Sequence, residues 1–324
     1  MMSRRLFLSG VAGGSLGLGT ADAALAQSYP QKPVKIIVGL LPGTSPDLIA
    51  RSIADSLSFR LKQIFVVENR PGAAGNLGAE AVARSAPDGH TLLMSLGTTF
   101  AVNPSLYSKP PFDPTADFDY ISTVGRAINM LVVHPSVPVN SVAELITYGK
   151  KQPISYAHGG PGTPGHLCME YFRLLAGFET IPVPYRGNTQ LAMDLAGGQI
   201  KFGFVGTSGV LPHVRAGRLK GLAVSSRTRS PIAPELPTIA EAGFPEFEFE
   251  TYYVFAAPAG LPGSVTALLE REVQEALTSR DLRDKLRAQD ILVEWTGSAD
   301  TKARIVADAK LWAKVVKATG MHVD

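Results

Sequence analysis

The chain has 324 residues, with 31 Lys and Arg against 28 Asp and Glu and a formal charge of +3. At 45 % hydrophobic and 18 % charged residues it is excluded from the disordered class, which needs low hydrophobicity and high net charge. A charge this near balance argues against a nucleic-acid binder, which would carry a basic stripe. The single cysteine, Cys168, excludes an internal disulfide framework and a cysteine-based zinc site. The length allows about two domains with real cores.

The first residues read as an address. Arg4 and Arg5 precede a short apolar run from Leu6 to Leu18, and Ala24-Leu25-Ala26 supplies a small-x-small cleavage site. Ser3-Arg4-Arg5-x-Phe7-Leu8 is the twin-arginine form of such a signal. A chain cut after Ala26 is expected to be exported to a periplasm.

From Val34 onward, strands and helices alternate. Val34–Val38 is a short apolar run, read as a buried strand. A Pro-Gly break follows, then a helix from Asp47 with Ile49, Ile53 and Leu57 at four-residue spacing. Strands are expected at 65–68 and 91–94, with a helix at 75–86 between them. A second set begins with a strand at 130–133 and a helix capped by Ser141, with Glu144 three residues on. Strands at 154–157, 181–185, 201–205 and 219–224 alternate with helices at 164–176 and 189–195. Residues 228–237 read as loop, 252–255 as strand, and 264–279 and 299–319 as helices. This alternation predicts an α/β fold with parallel sheets flanked by helices. Ligands in such folds sit where strands end and helices begin.

Two loops have that context. Leu41-Pro42-Gly43-Thr44-Ser45-Pro46-Asp47 lies between a strand and a helix, where unpaired N–H groups and about half a positive charge await an anion. It reads either as a cradle for a carboxylate or as an ordinary cap served by Ser45 or Asp47. His158-Gly159-Gly160-Pro161-Gly162-Thr163-Pro164-Gly165-His166 has the same setting, with the Thr163 amide as a candidate donor. Its Gly160, Gly162 and Gly165 also match G-x-G-x-x-G. Pro161 and Pro164 remove two donors there, and Glu179 precedes the next strand instead of ending it, so no dinucleotide is expected. Arg186 after a strand is either a carboxylate clamp or an exposed residue beside a turn. Gly97-Thr98-Thr99 and Gly206-Thr207-Ser208-Gly209 also end strands, as hydroxyl donors to a ligand or as plain turns. Phe247, Phe249, Tyr252 and Tyr253 read as a half-buried strand that becomes a ligand wall where it enters the cleft.

Catalytic signatures are missing: there is no G-x-S-x-G elbow and no H-E-x-x-H. His158 and His166 share a loop without a carboxylate beside them, so no metal is expected. Neither is a cofactor, and nothing calls for an obligate oligomer, so a monomer is expected. The alternatives are a cofactor-dependent periplasmic enzyme, suggested by the export signal and the glycine fingerprint, and an orphan ligand sensor for a signalling kinase.

A family likeness runs through Tyr29-Pro30-x-Lys32-Pro33-Val34, the loop from Pro42 to Asp47, Glu68-Asn69-Arg70-Pro71-Gly72-Ala73-Ala74-Gly75 and Asp88-Gly89-His90-Thr91. It continues in Asn103-Pro104-Ser105-Leu106-Tyr107, the Gly160–Leu167 loop, Pro184-Tyr185-Arg186-Gly187, Gly197-Gly198-Gln199-Ile200, Pro237–Gly243 and Ala257-Pro258-Ala259-Gly260. In these motifs, covering nearly all of residues 29–320, the chain resembles the substrate-binding proteins of tripartite tricarboxylate transporters, the Bug or TctC family. The resemblance implies a two-domain, periplasmic-binding-protein-like fold of the Venus-flytrap type. Each domain would be a mostly parallel sheet flanked by helices, with residues 27–128 plus 252–324 in one and 129–251 in the other. It implies a carboxylate ligand delivered to membrane permease subunits, without nucleic acid. One ligand carboxylate would lie between Leu41, Thr44, Ser45 and Asp47 on one side and Gly162, Thr163, Pro164 and His166 on the other. Asp47 would order its helix instead of touching the anion. His158, Arg186, Gly97, Thr98, Thr99, Gly206, Thr207 and Tyr253 complete the candidate set. Three departures stand out: Thr44 replaces a glycine usual in the family, Val205-Gly206 stands where many members have an aspartate, and Tyr252 replaces a frequent Trp. The missing aspartate points away from amino acids and toward di-, tri- or aromatic carboxylates.

Overall fold

The computed structural model describes residues 29–185 and 187–323. The export-signal reading of residues 1–26 and the candidate Arg186 lie outside the described residues. Strand β1 (Val34–Val38) buries four of its side chains and leaves Lys35 outside. It pairs in parallel with β2 (Phe65–Asn69) and β3 (Thr91–Leu96). Helix α1 (Ser45–Leu61) crosses from β1 to β2, with Ile49, Ile53 and Leu57 fully buried on one face. Helix α2 (Asn76–Ala83) crosses from β2 to β3 after a short 3-10 turn. Helices α3 (Gly97–Ala101) and α4 (Asn103–Leu106) follow β3. Both are about one turn long, too short to show a period in the sequence.

Strand β4 (Phe118–Val133) is 16 residues long, although only its last four read as strand in the sequence. Polar Ser122 and Thr123 sit buried in its first part and break the apolar run by which a strand is recognised. Beyond it come α5 (Val142–Gly149), β5 (Ile154–His158), α6 (Pro164–Ala176), β6 (Thr180–Pro184), α7 (Asn188–Ala196), β7 (Phe202–Gly206), α8 (Thr207–Arg215) and β8 (Lys220–Val224). The α5 cap is as expected: Glu144 donates its N–H to Ser141 Oγ at 3.2 Å. Strand β9 (Glu250–Pro258) returns to the first half of the sheet, and α9 (Gly263–Ala276), α10 (Arg280–Arg287) and α11 (Ser298–Thr319) close the chain.

The sheet order is β2-β1-β3-β9-β4-β7-β5-β6, with β8 beside β4. Its outer pairs are parallel and its centre antiparallel. Residues 118–128 of β4 pair with β9, while residues 129–133 pair with β7 and β8. The strand therefore exchanges partners between Ile128 and Asn129. Directions follow from these pairings. Because β9 is antiparallel to both β3 and β4, strands β1, β3 and β4 run the same way, toward the second half. Because β7 is antiparallel to β4 and β5 is parallel to β7, strands β5 and β7 run back toward the first half. The carboxyl ends of both sets face each other across the point where β4 changes partners, and so do the helices that start there.

Helix α11 touches both halves. Its Ile305 packs with Ile37, Phe100 and Tyr252, while Trp312 joins the cluster of Tyr171, Phe204, Phe247 and Phe249. The start of α6 is pressed against β7 at Gly165, where an added Cβ would collide with the Phe204 carbonyl oxygen. Gly165→Ala is accordingly expected to cost about 1–3 kcal/mol of stability, as overpacking does. A lowered denaturant midpoint at unchanged slope checks this, and an unchanged midpoint contradicts the tight contact.

Candidate functional site

Between the facing strand ends lies a cleft of about 570 Å³. Four helices begin on it, through Thr44, Ser45 and Pro46 of α1, Thr163, Pro164 and Gly165 of α6, Gly187 and Thr189 of α7, and Gly206, Thr207 and Ser208 of α8. The first N–H groups of a helix have no acceptor within it and carry about half a positive charge together. Among the described lining residues none is Lys, Arg or His, and the one charged side chain is Asp290. The cleft therefore presents positive potential made of backbone, edged by hydroxyls.

The two loops expected from the sequence are built alike. Gly43 and Gly162 sit at φ +80° and +73°, in the left-handed region that favours glycine. Each is followed by a threonine at the helix N-cap. Thr44 Oγ1 donates to the Leu41 carbonyl, and Thr163 Oγ1 to the Gly160 carbonyl, both at 2.7 Å. The backbone N–H of each threonine turns back to the same carbonyl at 3.3 Å. Thr163 thus spends its amide inside its own loop, and the first-turn amides left for a ligand are those of Gly165 and His166. On the first loop they are those of Ser45 and Asp47.

Asp47 is buried and braces the first loop. Its Oδ2 accepts from the Gly43 N–H at 2.9 Å and from Arg51 Nε at 3.0 Å. Its Oδ1 accepts from Arg51 Nη2 and Asn69 Nδ2, both at 2.9 Å. Asn69 Nδ2 also reaches the Leu40 carbonyl at 3.1 Å. Burial pushes the Asp47 carboxyl up, but the hydrogen bonds from Arg51, Gly43 and Asn69 and the Arg51 charge outweigh it and hold the group below its usual range.

The histidines brace the second loop from behind. His158 Nδ1 accepts from the Gly160 N–H and His166 Nδ1 from the Gly162 N–H, both at 3.2 Å, with ring centroids 4.5 Å apart. They line a separate cavity of about 470 Å³ with Glu170, Arg173 and His322, not the cleft. Burial lowers both imidazoles. His166 is pushed down to about 4, with His158 and Arg173 adding to the burial effect against Glu170.

The structure brings Thr44, Ser45, Thr163, Pro164, Gly206, Thr207 and Tyr253 to the cleft. Tyr253 is buried, its phenol against the Ser45 hydroxyl, and burial pushes it up to about 12. The Leu41 side chain is 62 % exposed and lies outside the cleft, which Leu40 lines instead. Gly162 shapes its loop, but Gly159 does the lining. Gly97 and Thr98 face another cavity, of about 300 Å³, with Tyr252, Arg304 and Asp308. Thr99 is buried, accepting from Ser95 Oγ and donating to the Ala74 carbonyl. Ser208, named with the Gly206-Thr207 strand end, also lines the cleft, whereas sequence reasoning passed over Asn129, Thr189, Thr251, Gln289 and Asp290. Thr189 was open to the rule applied to the loops, since it lies in a helix's first turn. Asn129 stands inside a strand, Thr251 at the start of one, and Gln289 and Asp290 beyond a helix end, where no motif marks them.

A parallel and antiparallel sheet continuous through one shared strand, with facing helix N-termini around a central cleft, defines a two-lobed α/β ligand-binding protein. The family model described as tripartite tricarboxylate transporter family receptor matches residues 49–321, and the chain belongs to that family. It is 35 % identical over 322 residues to BugT of Bordetella pertussis, covering 98 % of each chain. Among solved structures, it is similar to an R. palustris protein with adipate, at 33 % identity and TM-score 0.77, over 91 % of this chain and 99 % of that one. It is also similar to MatC from Rhodopseudomonas palustris with bound malate, at 27 % identity and TM-score 0.74, over 89 % of this chain and 100 % of that one. The fold is that of periplasmic binding proteins of this type.

Two outcomes follow for the bracing groups. Asp47→Ala strips a buried acceptor from Gly43, Asn69 and Arg51. Since Arg51 stays half exposed, the cost is expected near 2 kcal/mol, below that of a fully buried pair, in denaturant unfolding. For His166, the unfolded chain binds protons where the folded chain holds the ring neutral. Stability therefore falls as pH drops from 6.5 to about 4. His166→Asn keeps an acceptor for the Gly162 N–H and removes the titration, so melting temperature should vary less across that window. An unchanged slope would show that His166 does not carry it.

Proposed function

We propose that this chain is a periplasmic receptor that captures an organic carboxylate in the cleft and delivers it to the membrane subunits of a tripartite transporter. The observation that carries the reading is the convergence of four helix N-termini on a cleft whose described lining has no basic side chain. Such a site holds an anion by amides, hydroxyls and bridging water. Membership of the receptor family and the adipate and malate in the similar structures support it. One carboxylate sits between Ser45 and Asp47 amides on one side and Gly165 and His166 amides on the other, with the paired hydroxyls of Ser45 and Tyr253 supplying a further donor. Di-, tri- and aromatic carboxylates are the class proposed. Residues 27–128 with 252–324, and 129–251, act as two domains that close on the ligand by bending where β4 and β9 cross. The chain binds its ligand without transforming it, acts as a monomer, and is exported by a twin-arginine signal cut after Ala26.

Thermal unfolding of residues 27–324 against di-, tri- and aromatic carboxylates, amino acids and nicotinamide tests this. A ligand that binds only the folded state adds about 2.7 kcal/mol at a hundredfold excess over its dissociation constant. The expected result is a raised melting temperature with one carboxylate class. A flat response to every carboxylate together with a shift from a cofactor would overturn the reading.

A further inference from the structure

Asn129 is the first β4 residue after the strand changes partners, and it lines the cleft while only 4 % exposed. Its backbone is fully used: its N–H donates to Ser225 Oγ at 2.9 Å and its carbonyl accepts the Ser225 N–H at 2.9 Å. Its carboxamide has no hydrogen-bond partner among the described residues. What little of the residue is accessible opens on the cleft, so the partner of its carboxamide is a group in the cleft, a ligand oxygen or the water it displaces. Leu131, two residues on and therefore on the same face of the strand, is apolar and fully buried, and no bond of the fold uses the carboxamide.

Opposite Asn129 in the register is Gly206, at the end of β7. Residues directly opposed across strands project to the same face. Gly206 has φ −53° and ψ 133°, a conformation open to any residue, and an added Cβ would meet nothing within 4 Å. Neither backbone nor packing requires glycine here, and its missing side chain leaves open space beside the Asn129 carboxamide. The first-turn amides of Thr207 and Ser208 begin immediately beyond it.

Resting on the carboxylate reading above, we infer that Asn129 and Gly206 form a second, uncharged subsite for the end of the ligand remote from its head carboxylate. The Asn129 amide donates to a ligand oxygen, and Gly206 leaves the room that this end occupies. The substrate class is then a carboxylate bearing a second hydrogen-bonding oxygen, either another carboxylate or a hydroxyl. Simple monocarboxylates would leave the amide unpaired and bind more weakly.

The test measures dissociation constants of hexanoate, adipate, succinate and malate for the mature wild-type protein, Asn129→Leu and Gly206→Val, alongside their ligand-free melting temperatures. The expected wild-type result is adipate tighter than hexanoate, or malate tighter than succinate; the first pair reports a second carboxylate and the second a hydroxyl. Asn129→Leu should erase that preference, weakening the favoured ligand at least about tenfold while changing hexanoate by less than about twofold. Its ligand-free melting temperature should be unchanged or higher, because the carboxamide makes no bond in the fold. Gly206→Val should keep the fold and weaken adipate most. A lower melting temperature for Asn129→Leu, an equal loss for all four acids, or a wild-type protein without either preference would overturn the subsite. Binding of none of the four acids by the wild type would overturn the carboxylate reading itself, and the subsite with it.

Discussion

One strand, β4, belongs to both halves of the sheet, and everything at the cleft depends on that sharing. Had β4 ended at Ile128, nothing would fix the direction of β7 relative to β3. Because it runs on, pairing with β9 and then with β7 and β8, the two sets of parallel strands point at each other. A strand followed by a crossover helix places that helix's N-terminus at the strand's carboxyl end. Opposed strand ends therefore mean opposed helix N-termini, and the electropositive cleft is a consequence of topology before any side chain is chosen.

Side chains decide how much of that potential is left for a ligand. A helix start can be satisfied by its own cap, which would quench the site. Here neither Thr44 nor Thr163 caps its helix; each hydroxyl instead donates backward to a loop carbonyl. The bracing is delegated to groups outside the cleft. Asp47 with Arg51 and Asn69 holds the first loop, and His158 with His166 holds the second. Both sets accept from a glycine N–H in the loop and leave the first-turn amides free. A neutral imidazole suits that task only while unprotonated, since a proton on Nδ1 would face the N–H it accepts from.

The sequence made legible whatever was written in local pattern. The alternation of apolar runs with four-residue periodicity located most strands and long helices from β1 to α9 but not α8, whose start reads as a turn and whose interior holds Pro212; the Gly-Thr loops were found because a strand precedes and a helix follows each one. What escaped it depends on three-dimensional placement. His158 and His166 lie in the right loop but turn to its rear, and a spacing of eight residues says nothing about which side a ring takes. Gly97 and Thr98 end a strand of the correct set, yet α3 starts immediately and carries them behind β9 to the cavity with Tyr252. Helix α10 has only Leu282 and Leu286 on its buried side, too few for a stripe. Asn129 is a single polar residue in an apolar strand, and its meaning appears only when Gly206 is seen opposite.

The same crossing also carries the densest ion cluster among the described residues. Arg126 pairs with Glu250, the first residue of β9, and with Glu294 at 3.4 Å, while Arg304 of α11 reaches Glu250 at 3.2 Å and Glu294 at 3.7 Å. Arg304 also lies 4.0 Å over the Tyr252 ring. The Glu250 side chain is 7 % exposed, and separating a carboxylate this covered from its partners is costly. The start of β9 is thus tied to β4 and α11 together, which leaves the proposed bending to the residues just past this tie. Asn129 lies just past that tie, where β4 leaves β9 for β7. In the proposed closure, rotation of one half against the other would displace residues least near its pivot, so a group at Asn129 would keep its place while the Gly-Thr loops approach or part. Such a position suits a residue that measures the ligand, whereas the loops suit the task of enclosing it.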